Sequence, residues 1–208
     1  MNPHPGLMSR ELMNRILKKF VVSTITIGAA CIVASCNMDN SNPVSSGSDN
    51  SGNYGSGSVS FNTDSEGNMA ASGAWTGSAQ TSSGAAVWAS IDAQSQTARV
   101  WGLIWRSKSD WDVALLELSV SSGTLSTGSY SLTQSGNKIA KFYYARHVSS
   151  YTDYASGYAL ASGICVVTGF SSTGIRGNFN GSGAYSSDQN RTLQVSQGSF
   201  DVVFGTSN

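Results

Sequence analysis

His147 is the first residue to weigh, because imidazole is the side chain that moves a proton most readily near neutral pH. It stands in Arg146-His147-Val148-Ser149-Ser150-Tyr151-Thr152-Asp153, with serine hydroxyls and a carboxylate close by in sequence. A Ser-His-Asp hydrolase needs a nucleophile against the base and a carboxylate behind it. No Gly-x-Ser-x-Gly turn occurs, and with 39 serines in 208 residues a serine beside a histidine carries little information. The expectation is a loop histidine. Asp110 and Asp112 flank Trp111 and share one face if the segment is extended. That is the start of a paired-carboxylate site for sugar hydrolysis, but no second acid at the right separation is identifiable, and a solvated edge is expected. Asn62-Thr63-Asp64-Ser65-Glu66-Gly67 has the oxygen-rich look of half a calcium loop. Counting twelve from Asn62 gives Gly73 where a bidentate Glu is needed, so the segment reads as a polar hairpin turn. Zinc would require three or four His, Cys or carboxylate ligands. Phosphate-binding loops and dinucleotide fingerprints are absent, since the Gly-rich stretches do not follow a strand and open a helix. The chain is therefore expected to be no enzyme and to hold no cofactor and no metal.

Cys36 carries a different chemistry. Arg10, Arg15, Lys18 and Lys19 form a basic leader, and an apolar run follows from Phe20 through Ala34. At about 15 residues it is short for a membrane span and fits the hydrophobic core of a signal peptide. Met13 makes a more typical start for such a leader than Met1. The run ends in Val33-Ala34-Ser35-Cys36, which resembles a bacterial lipobox: an aliphatic residue, two small ones and a cysteine. Cleavage after Val33, Ala34 and Ser35 would leave Cys36 as the lipidated amino terminus. Cys31 competes less well, because Gly28 stands where the aliphatic residue belongs. Two or three acyl chains anchor a protein stably. Asn37, in place of the Asp that by resemblance keeps such proteins at the inner membrane, points to the bacterial outer membrane.

These features divide the chain into a signal peptide (1–35), a lipidated cysteine with a Ser/Gly/Asn-rich tether (36–58) and a folded domain (59–205). Residues 37–58 offer almost nothing to bury and read as a flexible coil with an r.m.s. span of about 26 Å. Lys+Arg and Asp+Glu are 12 each in the whole chain. Loss of residues 1–35 removes four basic residues and one acidic one, leaving a net charge of −3. That balance excludes the basic field of a nucleic-acid binder. Cys165, within Ile164-Cys165-Val166-Val167, is left without a partner and is expected to be a small buried hydrophobe.

The residues from 59 onward must be positioned by strands. Arg99–Trp105 puts Trp101, Leu103 and Trp105 on one face. Trp111–Val120 puts Leu116, Leu118 and Val120 on one face and Val113 and Leu115 on the other. Ile139–Ala145, Gly157–Phe170, Gly174–Tyr185 and Thr192–Phe204 follow, separated by Ser-Gly, Gly-Asn and Ser-Asp turn signals. No segment after residue 36 makes a convincing amphipathic helix. The fold class is all-β, a single antiparallel sandwich or barrel. Leu193 and Val195 differ in parity from Phe200, Val202 and Phe204, so a bulge at Gln197-Gly198-Ser199 is needed to bring both sets to the core.

The aromatics are the remaining handle for binding. Trp75, Trp88, Trp101, Trp105 and Trp111 are expected in core packing. Tyr143, Tyr144, Tyr151 and Tyr154 cluster around His147 and are the candidate ligand-binding residues.

Ser162-Gly163-Ile164, Val166-Val167-Thr168, Gly174-Ile175-Arg176-Gly177-Asn178-Phe179 and Val195-x-x-Gly198-Ser199-Phe200-Asp201-Val202 recur together, with Gly128-Ser129-Tyr130 upstream. Over residues 124–204 this order resembles a group of uncharacterised lipoproteins of Bacteroidetes- and Chlorobi-like bacteria. The resemblance implies an all-β domain behind a lipobox and brings no catalytic residues. The expected function is that of an envelope interaction or accessory module, with the membrane as partner through the lipid anchor and an envelope protein or glycan as a further one. The alternatives are a calyx-type carrier of a small apolar ligand and a carbohydrate-binding module.

Overall fold

The computed structural model describes residues 55–76 and 83–205. Its strands are β1 (Gly55–Thr63), β2 (Met69–Ser72), β3 (Gly84–Asp92), β4 (Thr97–Ser107), β5 (Asp110–Val120), β6 (Gly128–Ser131), β7 (Lys138–Val148), β8 (Tyr158–Ser171), β9 (Gly174–Tyr185) and β10 (Asp188–Phe204). A 3-10 helix, Tyr151–Ser156, joins β7 to β8. The first strand begins at Gly55, a little before the expected domain start.

All ten strands form one sheet, in the order β2-β1-β10-β9-β8-β6-β7-β5-β4-β3. Pairing is antiparallel except for β6 with β7, which run parallel at Ser131 and Ile139. The two ends of the sheet nearly meet. Val87 N–H donates to the Gly73 carbonyl at 3.1 Å, Trp75 N–H to the Val87 carbonyl at 3.3 Å and Gly205 N–H to the Ala89 carbonyl at 3.3 Å. Of the two architectures open from the sequence, the sheet takes the barrel, nearly closed. Closure by even these few bonds removes most of the exposed edge that a flat sheet would carry.

Alternation along the strands fills the inside. Val59, Phe61, Val100, Leu116, Leu118, Phe142, Tyr144, Phe179, Phe200 and Val202 belong to one buried cluster. Phe61 meets Phe142 at 5.2 Å, Tyr144 at 4.9 Å and Phe179 at 5.9 Å, and Phe142 meets Phe179 at 4.8 Å. The strand β10 does break its register opposite β9 between Val195 and Gly198, and Leu193, Val195, Phe200, Val202 and Phe204 are all buried. The left-handed residue at this bulge is Gln197, φ +52°, rather than the glycine. Gly198 is needed for space instead: a Cβ there would lie 2.5 Å from the Phe179 carbonyl oxygen.

The segment β3-β4-β5-β7 is apolar on both faces. Trp101, Leu103 and Trp105 do share a face, as expected, but it is the outside of the barrel. They form a second layer with Trp75, Trp88, Trp111, Val113 and Leu115, all buried. Cys165 points into the interior, and burial pushes its thiol up to about 12.

Candidate functional site

The hairpin register assembles one end of the barrel from the β1–β2 turn, the β4–β5 turn, the end of β7 with the 3-10 helix, and the β9–β10 turn. This mouth gathers most of the chemistry-bearing residues. Asp112 opposes a break in register: Trp111 pairs with Val148 and Val113 with Ala145, so Arg146 and His147 together face Asp112. That bulge leaves His147 at φ +53° and turns its backbone N–H onto Asp112 Oδ1 at 3.2 Å. A positive φ at a non-glycine residue marks strain that its surroundings must hold.

Asp112 is the hub. Arg106 grips it twice, Nη2 to Oδ2 at 2.6 Å and Nη1 to Oδ1 at 3.1 Å, and Arg146 Nε reaches Oδ2 at 3.3 Å. Burial opposes the charge on Asp112, but Arg106, the His147 N–H and Arg146 outweigh it and hold the carboxyl below its ordinary range. Asp110 takes Arg106 Nη1 at 3.2 Å and lies 3.0 Å from His147 Nδ1. The expected solvated edge is therefore true of half-exposed Asp110 and not of Asp112, which is buried beneath two guanidiniums.

Glu66 extends the network across the mouth. Arg146 Nη1 donates to the Glu66 carbonyl oxygen. Glu66 Oε1 accepts from the Tyr158 hydroxyl at 2.5 Å and from Arg191 Nη2 at 2.6 Å. The Tyr158 hydrogen bond, with Arg191 and Arg146, lowers the Glu66 carboxyl against the cost of burial. Burial and the Glu66 acceptor push the Tyr158 hydroxyl up to about 12. The Arg191 guanidinium also lies 4.7 Å from the Tyr185 ring centre and 5.4 Å from that of Tyr158. The oxygen-rich loop is thus a hairpin turn whose acids face protein donors, Asp64 Oδ1 accepting the Gln194 N–H at 3.0 Å.

Asp153 is occupied by local structure. It accepts the Ser150 N–H at 3.2 Å and the Ser149 hydroxyl at 2.9 Å, closing a capping box on the 3-10 helix. Among the described residues no serine hydroxyl is bonded to the His147 imidazole.

The four candidate tyrosines do not form one platform. Tyr144 points into the barrel, where burial raises its hydroxyl well above the ordinary range. Tyr143, Tyr151 and Tyr154 stand on the outer aromatic layer: Tyr154 meets Trp101 at 5.1 Å and Tyr143 at 5.5 Å, and Tyr151 meets Trp111 at 5.7 Å. Adjacent residues on a strand face opposite ways, which separates Tyr143 from Tyr144. Val33, Ala34, Ser35 and Cys36 lie outside the described residues, as does the tether up to residue 54.

Sequence reading passed over Arg106, Arg146, Tyr158 and Arg191 as partners of the acids. One signal was available: only 12% of the chain is charged, so an Arg at the end of an apolar strand is conspicuous. No family model, curated protein or solved structure matches the chain.

Proposed function

We propose that the protein is an outer-membrane lipoprotein, anchored through Cys36, whose barrel is a non-catalytic interaction module meeting its partners with its outside. The observation that carries the module reading is the filling of the barrel. Phe61, Phe142, Tyr144 and Phe179 interlock where a calyx would hold its ligand. The mouth supports the same reading, because Asp112 and Glu66 are matched by Arg106, Arg146 and Arg191 instead of facing open space. The anchor rests on the lipobox resemblance and the Ser/Gly/Asn-rich stretch behind it.

A calyx carrier is the second reading, favoured by the nearly closed barrel; it requires the Phe cluster to part for a ligand. Intact mass of the protein extracted from membranes tests the anchor: the chain should begin at Cys36 and carry a diacylglyceryl group, and Cys36→Ala should move it to the soluble fraction. An unmodified thiol overturns the anchor. Turnover on a broad hydrolase panel that disappears in His147→Ala overturns the non-catalytic reading.

A further inference from the structure

The barrel end opposite the charged mouth is built differently. Gly55 pairs with Phe204, so the chain coming from Cys36 enters the domain at this end. The β3–β4 and β8–β9 turns and Gly205 lie there too. The described residues include three large hydrophobic side chains that are exposed: Ile91 at 37%, Ile164 at 39% and Val203 at 52%. Two of them sit on this rim. Ile91 is one residue from the β3–β4 turn, and the Gly205 N–H bond to Ala89 brings the end of β10 beside it. Val203 pairs with Gly174 at the β8–β9 turn, and half-buried Phe170 stands one step away, opposite Ile175. Phe170, Val203 and Arg176 line an open cleft of about 360 Å³.

Isolated exposed aliphatics need no explanation. Ile91 and Phe170 lie on the inner face of this rim, in line with Ala89 and Ile175, and Val203 on its outer face. The charges beside them are muted. Asp92 is turned into its own hairpin by Gln94 N–H at 2.8 Å and the Ser95 hydroxyl at 2.6 Å, and Asp201 lies opposite Arg176 in register. Eighteen residues separate Cys36 from Gly55, enough chain to reach at most about 60 Å, so the point of chain entry lies within reach of a surface marked by Cys36.

We infer that this rim rests on the lipid surface, with Ile91, Val203 and Phe170 in the headgroup layer and the ionic mouth facing away from it. The inference rests on the anchor proposed above and adds an orientation that the anchor alone does not impose. A lipid surface suits the rim because it asks for apolar tips on a nearly neutral edge, without a complementary shape.

The test uses the lipidated protein with labelled Ile and Val methyl groups and labelled Phe rings, in nanodiscs of phosphatidylethanolamine and phosphatidylglycerol. A gadolinium chelate on the lipid headgroups reports proximity by line broadening. Val203 and Ile91 should broaden at least threefold more than Ile164, whose exposure falls between theirs but which lies along the barrel wall. Ile91→Asp with Val203→Asp should bring Phe170 in line with the wall while the protein stays on the disc. Equal broadening of Ile164 and Val203, or none at either, overturns the orientation and leaves the anchor standing. Shifts at Val203 that grow with protein concentration without lipid assign the rim to a second copy and also overturn it. If the mass shows a bare Cys36 thiol, the anchor reading fails, and the same comparison is made after coupling that thiol to a maleimide lipid.

Discussion

Asp112 accepts from Arg106, Arg146 and the His147 N–H, and its side chain has almost no contact with solvent. A carboxylate so placed is stable only while its donors stay. Asp112→Asn keeps the shape but removes the charge, leaving Arg106 and Arg146 mutually repelling; both are about a third exposed, so water recovers part of the loss. The expected cost is about 2–3 kcal/mol in urea unfolding at pH 7, somewhat below that of breaking a fully buried pair. The pH dependence follows in sign. Asp112 and Glu66 are both lowered in the folded state. Their contribution is complete above the unfolded carboxylate range, near pH 4–5, and is lost as pH falls through the lowered values. The urea midpoint should be flat from about pH 7 to 5 and decline below about pH 4, less steeply in Asp112→Asn. A decline of equal slope in the variant would remove Asp112 from the account.

Gly198 shows how an element depends on one missing methyl group. Its Cβ would meet the Phe179 carbonyl oxygen at 2.5 Å and the Phe179 ring at 2.7 Å. Gly198→Ala must push β10 off β9 or move Phe179, and should cost about 1–3 kcal/mol, read as a fall of several degrees in Tm. Gln197→Gly, one residue away, gives up strain at φ +52° and should stay within about 1 kcal/mol of wild type. A reversed order would place the constraint on dihedrals instead of space. This bulge was legible because the parity of Leu193 and Val195 clashes with that of Phe200, Val202 and Phe204. The strands β4, β5, β7, β8, β9 and β10 were legible by alternation, β9 to the residue. Strands β1 and β3 were not, β1 because Ser and Gly leave only Val59 and Phe61 to alternate, β3 because its residues 85–89 are apolar without a break. The short strands β2 and β6 carry too few alternations for a period of two to register, and only Gly128-Ser129-Tyr130 hinted at the second. Which face of β4 is the inside was not legible, since β4 is apolar on both. At the mouth, the Asp110/Asp112 spacing and His147 stood out, but Glu66 finds Tyr158 92 residues away and Arg191 125 away. Pattern reading within a window does not reach such separations.

At the scale of the whole molecule, the question is whether the barrel is a core or a container. Phe61 is the place to test it, because its ring on β1 touches Phe179 on β9 and reaches across the interior to Phe142 and Tyr144 on β7. In a packed core, truncation loses both transfer energy and contacts, so Phe61→Ala should cost about 3–5 kcal/mol. That is a large share of the stability of a domain this size, so Phe61→Leu is measured beside it as the milder case. The space left would be apolar and dry, and such cavities take up benzene. Binding to the folded state raises Tm by mass action. Benzene should therefore raise the Tm of Phe61→Ala and leave that of the wild type unchanged. A container behaves in the opposite way: the wild type would gain from small apolar ligands and the truncation would be tolerated, because its interior is built to empty and refill. If the wild-type Tm climbs with benzene or a short fatty acid while Phe61→Ala loses little, the barrel is a calyx and the module reading gives way to the carrier.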